Sequence, residues 1–483
     1  MKTILLTAVL AAAPALAAAS DVPDPSDEPR PVPLTRPEMK QSLEDMKARK
    51  PRIPLPELTA EEREQLGERG GGYESRLRSL YLNDGRERSA AGAGRTGGTA
   101  GTGRTGGSGF FGGFGRDPDP KMTLDYKFKT QLFWIVSRTN NCQYCLGHQE
   151  SKLLAAGMTE NEIAALDGEW VEFAPAEQAA YAFARKITFE PHLIGDADVE
   201  RLRRHYTDLQ ILEMVLSIAG NNAINRWKEG VGVPQSSGGG GFGRRRADGE
   251  PEPARTEAHS YLTPTADEFR DRVTKVAPLV LDAETGEPTR RTVFRRPPLE
   301  SQNEVEQELA FARKRSPRLP LVDEAEAREV LGEDAPAGAL PQWIRLLANF
   351  PRDGRSRILA QLRADQTGDL SPLLKAQVSW IIARQDRAWY AVGEAKRRLG
   401  ELGQTDEEIY ALDGDWQSFT PAERALFTVA RKLAATPVVL TDDDVDEALA
   451  LTGPRDVVQL ISYTTGRASF DRITQAAGLR LEQ

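Results

Sequence analysis

The chain has 483 residues, of which 28% are charged, and its formal net charge at pH 7 is −9. This acidic balance argues against nucleic acid as a partner, because such binding depends on attraction to phosphates. The length predicts two or three domains, and beyond the N-terminus no apolar stretch predicts a membrane span.

The chain begins with a segment typical of a secretory signal peptide, at residues 1–20. Lys2 is followed by an apolar run from Ile4 to Leu16 and then by small residues, which predicts cleavage between residues 17 and 20. The run is too short and too rich in alanine to predict a membrane anchor. We therefore expect the mature protein in a periplasm or outside the cell.

Two parts of the chain repeat each other. ALDGEW at 165–170 recurs as ALDGDW at 411–416, and FAPAEQAAYAFARK at 173–186 recurs as FTPAERALFTVARK at 419–432. The offset of 246 residues holds without a gap from Trp134 and Trp380 to Arg226 and Arg472. Upstream, KPRIPLP at 50–56 resembles RSPRLPL at 315–321, with an offset of 266 between Pro51 and Pro317. An ungapped register of this length predicts a tandem duplication.

The repeat predicts how the chain is divided. After the signal peptide we expect an N-terminal arm with helices of copy one at 21–89, a Gly-rich insertion at 90–116, and the repeat unit with both cysteines at 117–235. A Gly/Pro-rich linker at 236–258 and an extended arm at 259–305 then precede a degenerate second repeat at 306–483. The Gly-rich tracts bury too little apolar surface to order themselves, which predicts a surface insertion and a linker.

The patterns within each copy predict helices. Thr159 and Glu162 have the spacing of a capping box, and Pro175 is typical of the first turn of an amphipathic helix. Residues 208–227 are apolar except toward their end, while alternation typical of strands is nearly absent. We therefore predict an all-α fold of two similar helical bundles, packed as an internal pseudo-dimer.

The chain's two cysteines, Cys142 and Cys145, follow the Thr-Asn-Asn sequence at 139–141. Asparagine is a favoured N-cap, so we expect the next helix to begin at Cys142. The positive end of that helix favours a thiolate. The i, i+3 spacing places both sulfurs on one face, and His148, three residues further on, can exchange a proton there. This arrangement predicts one thiol that attacks an oxidant and another that resolves the product as a disulfide.

Other interpretations of this motif are open. A c-type haem site requires a His directly after the second Cys, where this chain has Leu146. Zinc would need two more ligands, and the other histidines are 192, 205 and 259, of which 192 and 205 look like surface residues. A permanently oxidised, inert disulfide fits an oxidising compartment. We predict redox chemistry with no cofactor and no metal.

These residues resemble the carboxymuconolactone decarboxylase family, in its alkylhydroperoxidase D-like branch. CQYCLGH, followed by LLAAGMTENEIAAL and by SIAGNNAINRWKEGVGVP, carries the resemblance over 117–235, with 365–480 as a degenerate copy. The resemblance implies an all-α fold, oligomers of the repeated unit, and peroxide reduction by a Cys pair that a dithiol donor recharges. It also implies that Cys145 attacks the peroxide, Cys142 resolves the product, and His148 belongs to the proton relay.

Two positions depart from that family. A Glu is usual twelve residues before the first Cys, where this chain has Thr130, and the His is usual at the position of Gln149. A one-residue shift turns a helical side chain by about 100°. Glu150 is a nearby carboxylate, which we expect to be a solvated helix residue.

The second copy lacks the reactive residues. At the offset of 246, the cysteines and His148 become Ala388, Ala391 and Glu394. We therefore expect this copy to be a packing partner that roofs the first. The last helix of the first copy carries four polar residues that either line a pocket or serve capping and hydrogen bonding between helices: Asn221, Asn222, Asn225 and Arg226.

Two other functions stay open. The other branch of the family contains lactone or keto-acid decarboxylases and isomerases that do not need cysteines. A non-catalytic envelope scaffold that inherited the fold is the second alternative.

Overall fold

The structure, a computed structural model, describes residues 32–33, 36–58, 60, 72–82, 119–168, 170–235, 275–276, 294–295 and 299–482. The predicted signal peptide, the Gly-rich insertion and the linker lie outside the described residues, as does most of the extended arm. Within the described ranges, no helix is both long and apolar enough to cross a membrane.

The prediction of an all-α fold is confirmed for the described residues. Among its described residues, the first half has eight helices: α1 Arg36–Asp45, α2 Tyr73–Tyr81, α3 Tyr126–Thr139, α4 Gln143–Ala155, α5 Glu160–Ala165, α6 Pro175–Phe189, α7 Asp196–Arg203 and α8 Asp208–Gly230. Short 3-10 turns lie at Met46–Ala48, Pro191–Leu193 and Gly332–Asp334. A two-residue antiparallel pair, β1 Lys275–Val276 and β2 Phe294–Arg295, lies between the halves in sequence.

The second half contains nine helices in the part of the chain that the structure describes. They are α9 Gln302–Ala312, α10 Glu324–Leu331, α11 Gln342–Leu347, α12 Asp353–Gln366, α13 Pro372–Asp386, α14 Trp389–Glu401, α15 Asp406–Ala411, α16 Pro421–Ala434 and α17 Asp442–Ala477. Helix α17 is interrupted at Gly453, whose φ of 84° and ψ of 167° are not helical. Pro454 follows, and a helix can restart there because proline suits a first turn.

Local structure recurs at the offset that the sequence predicts. Helices α4 and α14 begin and end at matched residues, and so do α5 and α15. Two bends also match, because Asn141 and Arg387 have φ of 57° and 50°, and Trp170 and Trp416 have φ of 60° and 62°. The tandem duplication stays a prediction, and these pairs support it.

The two halves meet along α8 and α17. Arg226 of α8 is fully buried and donates to the carbonyl of Ala434 (2.9 Å) and to the hydroxyl of Thr436 (2.8 Å). Its matched residue Arg472, on α17, donates to the carbonyl of Thr188 (3.0 Å). Matched arginines therefore reach into the opposite half, an arrangement that supports the predicted internal pseudo-dimer.

An ion pair of the first half is reversed in the second. Lys40 of α1 lies 2.5 Å from the Glu150 carboxylate of α4, which Arg36 also contacts. In the second half Glu306 of α9 and Lys396 of α14 occupy the matched positions and form an ion pair of opposite sense. In each half an ion pair thus links an N-terminal helix, α1 or α9, to the helix that follows the left-handed bend, α4 or α14.

Candidate functional site

The two cysteines lie where the chain turns between α3 and α4. The turn closes with a hydrogen bond from the Cys142 N–H to the Ser137 carbonyl (2.9 Å). Asn141 takes a left-handed conformation, which asparagine tolerates better than most residues. Cys142 is then extended (φ −85°, ψ 91°) and is itself the N-cap. The predicted Asn N-cap is therefore wrong by one residue, since α4 begins at Gln143.

The sulfurs of Cys142 and Cys145 are close together and buried. The Sγ atoms lie 2.7 Å apart, and the two residues are 0% and 2% exposed. A disulfide bond measures about 2.05 Å, so a small displacement would join them. Phe133 completes a compact apolar cluster with the two thiols, and Tyr144 and Ile224 pack against it. The structure brings the two predicted thiols together in a site without bulk water.

The helix start is expected to favour a thiolate, but Cys145 does not meet that expectation in this closed arrangement. Burial, followed by the hydrogen bond and the charge of Cys142, raises the pKa of Cys145 well above its ordinary value. Lys228 and a hydrogen bond from Asn225 act in the opposite direction. Removal of water raises the free energy of the thiolate more than the positive end of the helix lowers it, because an anion in an apolar cluster has few compensating partners.

His148 lies on the same helix as Cys145 and packs on Tyr144, with ring centroids 4.6 Å apart. Burial, followed by the positive charges of Lys228 and Lys152, lowers the pKa of His148 to about 4. The imidazole is therefore neutral at pH 7. In this state it can accept a proton but has none to donate from a cationic form.

We expect the His148 imidazole to titrate near pH 4 rather than near 6.5. The pKa of His148 is lower in the folded chain than in the unfolded chain, so the unfolded chain binds the proton first as the pH falls. Protonation of His148 therefore lowers the free energy of unfolding between about pH 6.5 and 4. Imidazole NMR signals of a chain with four histidines, assigned by comparison with His148→Gln, measure this. A midpoint at 6 or above would contradict the buried, cation-facing environment.

Three of the four polar residues at the end of α8, Asn222, Asn225 and Arg226, form hydrogen bonds that reach other parts of the fold. Asn140 donates to the side-chain oxygens of Asn222 (2.9 Å) and Asn225 (3.0 Å), and Asn225 donates to the Ser137 hydroxyl (3.1 Å). Arg226 donates to Asn222 as well (2.9 Å). Of the two open interpretations, these hydrogen bonds support helix packing for Asn222, Asn225 and Arg226.

Glu150 does not have the solvated position that the sequence led us to expect. It is buried, holds Arg36 and Lys40, and accepts a hydrogen bond from the indole of Trp134 (3.4 Å). These partners lower its pKa although burial opposes the charge. Glu150 therefore forms ion pairs with Arg36 and Lys40 and is not a solvated helix residue.

Thr130 and Gln149, the two positions that depart from the pattern of the resembled family, have uncharged side chains. Thr130 is buried and donates its hydroxyl to the Tyr126 carbonyl (2.8 Å), and Gln149 is buried.

Two predictions about histidines have different outcomes. His205 is exposed, whereas His192 is half-buried and its pKa is lowered to about 4, first by burial and then by Arg387. The surface position predicted for His192 is therefore only partly right.

Sequence reasoning missed two charged residues beside the thiols, Lys228 and Glu74. Lys228 lies one turn after Asn225 on α8, with its Nζ 4.7 Å from the centroid of the Tyr144 ring. Glu74 of α2 forms an ion pair with Lys228. The position of Lys228 three residues after Asn225 could have indicated its place near the site. No sequence pattern around Glu74 indicated its contact with Lys228.

The matched region of the second half contains no thiol. Ala388 and Ala391 are buried, and Glu394 pairs with Arg397 of its own helix (3.0 Å). Asp386 and Asp471 take the places of Asn140 and Asn225. In the described part of the chain, no group of three or more His, Cys, Asp or Glu residues is arranged to hold a metal ion.

The comparisons with known proteins concern the cysteine-bearing segment. A family model described as the carboxymuconolactone decarboxylase family matches residues 124–186, from the start of α3 through both cysteines to α6. No curated protein matches the chain.

Proposed function

We propose that the chain, whose residues 124–186 match the model of the carboxymuconolactone decarboxylase family, is a thiol oxidoreductase that reduces peroxides through Cys145 and Cys142. The observation that carries this proposal is the 2.7 Å separation of the two Sγ atoms in an apolar cluster. A pair at this distance can interconvert between dithiol and disulfide with little movement of the backbone.

The proposed reaction begins at Cys145. Its sulfur attacks one oxygen of a hydroperoxide, an S–O bond forms, the O–O bond breaks, and the other oxygen leaves as an alcohol. His148, neutral at pH 7, accepts the thiol proton and returns it to the leaving oxygen. Cys145 is thereby oxidised by two electrons to a sulfenic acid.

Cys142 completes the cycle. Its sulfur attacks the sulfenic sulfur, the disulfide forms, and the hydroxyl leaves as water with the proton of the Cys142 thiol. A dithiol donor then reduces the disulfide and becomes a disulfide itself. The balance is one hydroperoxide and one dithiol consumed, with one alcohol, one water and one disulfide produced.

Burial of the site limits the proposed substrates and partners. Sulfurs at 0% and 2% exposure favour a small peroxide over a bulky oxidant. The donor must be a dithiol that works in the compartment outside the cytoplasm, since residues 1–20 are typical of an export signal. Assembly into a homo-oligomer is part of the proposal, because the family resemblance implies oligomers.

Hydroperoxide consumption with a small dithiol as donor tests this function. We expect Cys145→Ser to lower the rate to the background of donor alone, because a hydroxyl is not a nucleophile toward peroxide at neutral pH. The matched control is His205→Gln, a change at an exposed residue, which should keep the wild-type rate. Equal rates for wild type and Cys145→Ser would overturn the proposal.

Burial of both sulfurs and the raised pKa of Cys145 also favour a second candidate, a function that does not use the thiols. Decarboxylation or isomerisation of a lactone or keto acid that survives the double Cys→Ser change would support the other branch of the family. Thiols that stay unmodified under excess peroxide would support a scaffold role.

A further inference from the structure

Helix α8 contacts the cysteines through Ile224, which packs against the cluster of Phe133, Cys142 and Cys145. One turn further along α8 is Lys228, whose ammonium lies 4.7 Å from the centroid of the Tyr144 ring, next in sequence to Cys145. Residues four apart share one helix face, so Ile224 and Lys228 lie on the same side of α8.

Lys228 is fixed by a carboxylate from a separate helix. Glu74 of α2 forms the ion pair with Lys228. The same carboxylate accepts hydrogen bonds from the Trp227 indole (2.6 Å) and from Arg78 (3.1 Å), whose guanidinium lies 4.2 Å from the centre of the Trp227 ring. Three donors therefore hold Glu74 in place, and Lys228 keeps one position over Tyr144.

The charge of Lys228 is retained despite burial. Burial is the largest single influence and opposes the charge on Lys228, but Glu74, Tyr144 and Cys145 together outweigh it and the pKa of Lys228 is raised. The ammonium in turn is among the causes that lower the pKa of His148. A fixed cation thus lies over Tyr144, the residue before Cys145, while the imidazole on the same helix stays neutral.

We propose that Lys228, positioned by Glu74, is the counter-charge that makes the Cys145 thiolate accessible in its buried site. The inference rests on the proposed function, because it explains how a thiol in an apolar cluster can still act as a nucleophile. In a site of low dielectric one fixed cation has a strong effect, since water does not screen it. Lys228 is a positioning residue, and the reacting atom is the Cys145 sulfur.

Several titratable groups surround Cys145, and their effects on its pKa must be distinguished from the effect of Lys228. They are Cys142, Tyr144, His148 and Lys152 on or next to α4, Lys228 on α8, and Glu74 on α2. Among the charges that act on Cys145, Lys228 is the largest that favours the thiolate, Lys152 also attracts it, and Cys142 opposes it.

The test titrates a single thiol. In a Cys142→Ser background Cys145 is the chain's last cysteine, and the ultraviolet absorbance of its thiolate is followed with pH against the protein without cysteines. We expect Lys228→Met to raise the midpoint by at least about one unit, a tenfold lower thiolate fraction at a fixed pH below both midpoints. Lys228→Arg, which keeps the charge, should stay within about half a unit.

A matched control removes a different ion-paired lysine. Lys186 of α6 is half-buried and lies 2.8 Å from Asp198, and Lys186→Met should leave the midpoint unchanged. An unchanged midpoint in folded Lys228→Met protein would overturn the inference. If that variant does not fold, a rise of the midpoint in Lys228→Gln with none in Lys228→Arg supports the inference, and equal midpoints overturn it. The titration uses no peroxide, so its failure is distinguishable from a failure of the proposed peroxidase activity.

Discussion

Replacing Cys142 by Ser is expected to lower peroxide turnover by about 10² or more, while leaving the first attack intact. The resolving sulfur lies 2.7 Å from Cys145, and a group held this close acts at an effective concentration that no external thiol reaches. A hydroxyl cannot take over this step, because serine is not ionised at neutral pH. The sulfenic acid on Cys145 should therefore accumulate.

Two measurements separate this outcome from a simple loss of activity. Without donor, Cys142→Ser should consume one equivalent of peroxide and then react with a carbon nucleophile specific for sulfenic acids, whereas wild type should yield a disulfide. The fold should survive the change, since Cys142 is an N-cap without a side-chain capping bond and Ser is a favoured residue there. Wild-type turnover in the variant would contradict the assigned roles of the two thiols.

Glu150→Lys is expected to destabilise the protein by about 5 kcal/mol. The Glu150 carboxylate is 4% exposed and holds Arg36, itself 7% exposed, and Lys40. Breaking a buried ion pair costs about 3–5 kcal/mol because a charge is left without compensation, and a third cation adds like-charge repulsion. Unfolding in denaturant, followed by tryptophan fluorescence, measures the loss.

The second half of the chain provides the matched rescue. There, Gln302, Glu306 and Lys396 take the places of Arg36, Lys40 and Glu150, and Lys396 also contacts Asp406 at 3.3 Å. The triple change Arg36→Gln, Lys40→Glu and Glu150→Lys reproduces this arrangement, with Glu160 in the place of Asp406. It should recover stability to within about 1–2 kcal/mol of wild type. A triple variant as unstable as Glu150→Lys would mean that the two ion pairs are not equivalent.

Local structure was predictable where neighbouring residues decide it. Thr159 caps α5 and accepts a hydrogen bond from the Glu162 N–H (3.2 Å), as the capping-box spacing predicts, and Pro175 is the first residue of α6. The i, i+3 spacing of Cys142 and Cys145 likewise brings the sulfurs together. The error of one residue at the start of α4 arose because Asn141 serves as the left-handed bend rather than as the cap.

The electrostatics of the site were not predictable in the same way. The sequence favoured a thiolate at Cys145 and a solvated Glu150, and the structure contradicts both because each side chain is buried. Burial depends on which helices cover a residue, and those helices come from distant parts of the chain. Glu74, for example, is 154 positions before Lys228, and no local pattern joins them.

The amino-acid sequence by itself determined the helical class, the repeat register and the closeness of the two thiols, because each of these depends on spacing within a few turns or on likeness between copies. Only the tertiary structure decided which groups carry charge. The packing of α2 and α8 around α4 sets the protonation of Cys145 and His148, since removing water changes the free energy of an ion far more than that of its neutral form.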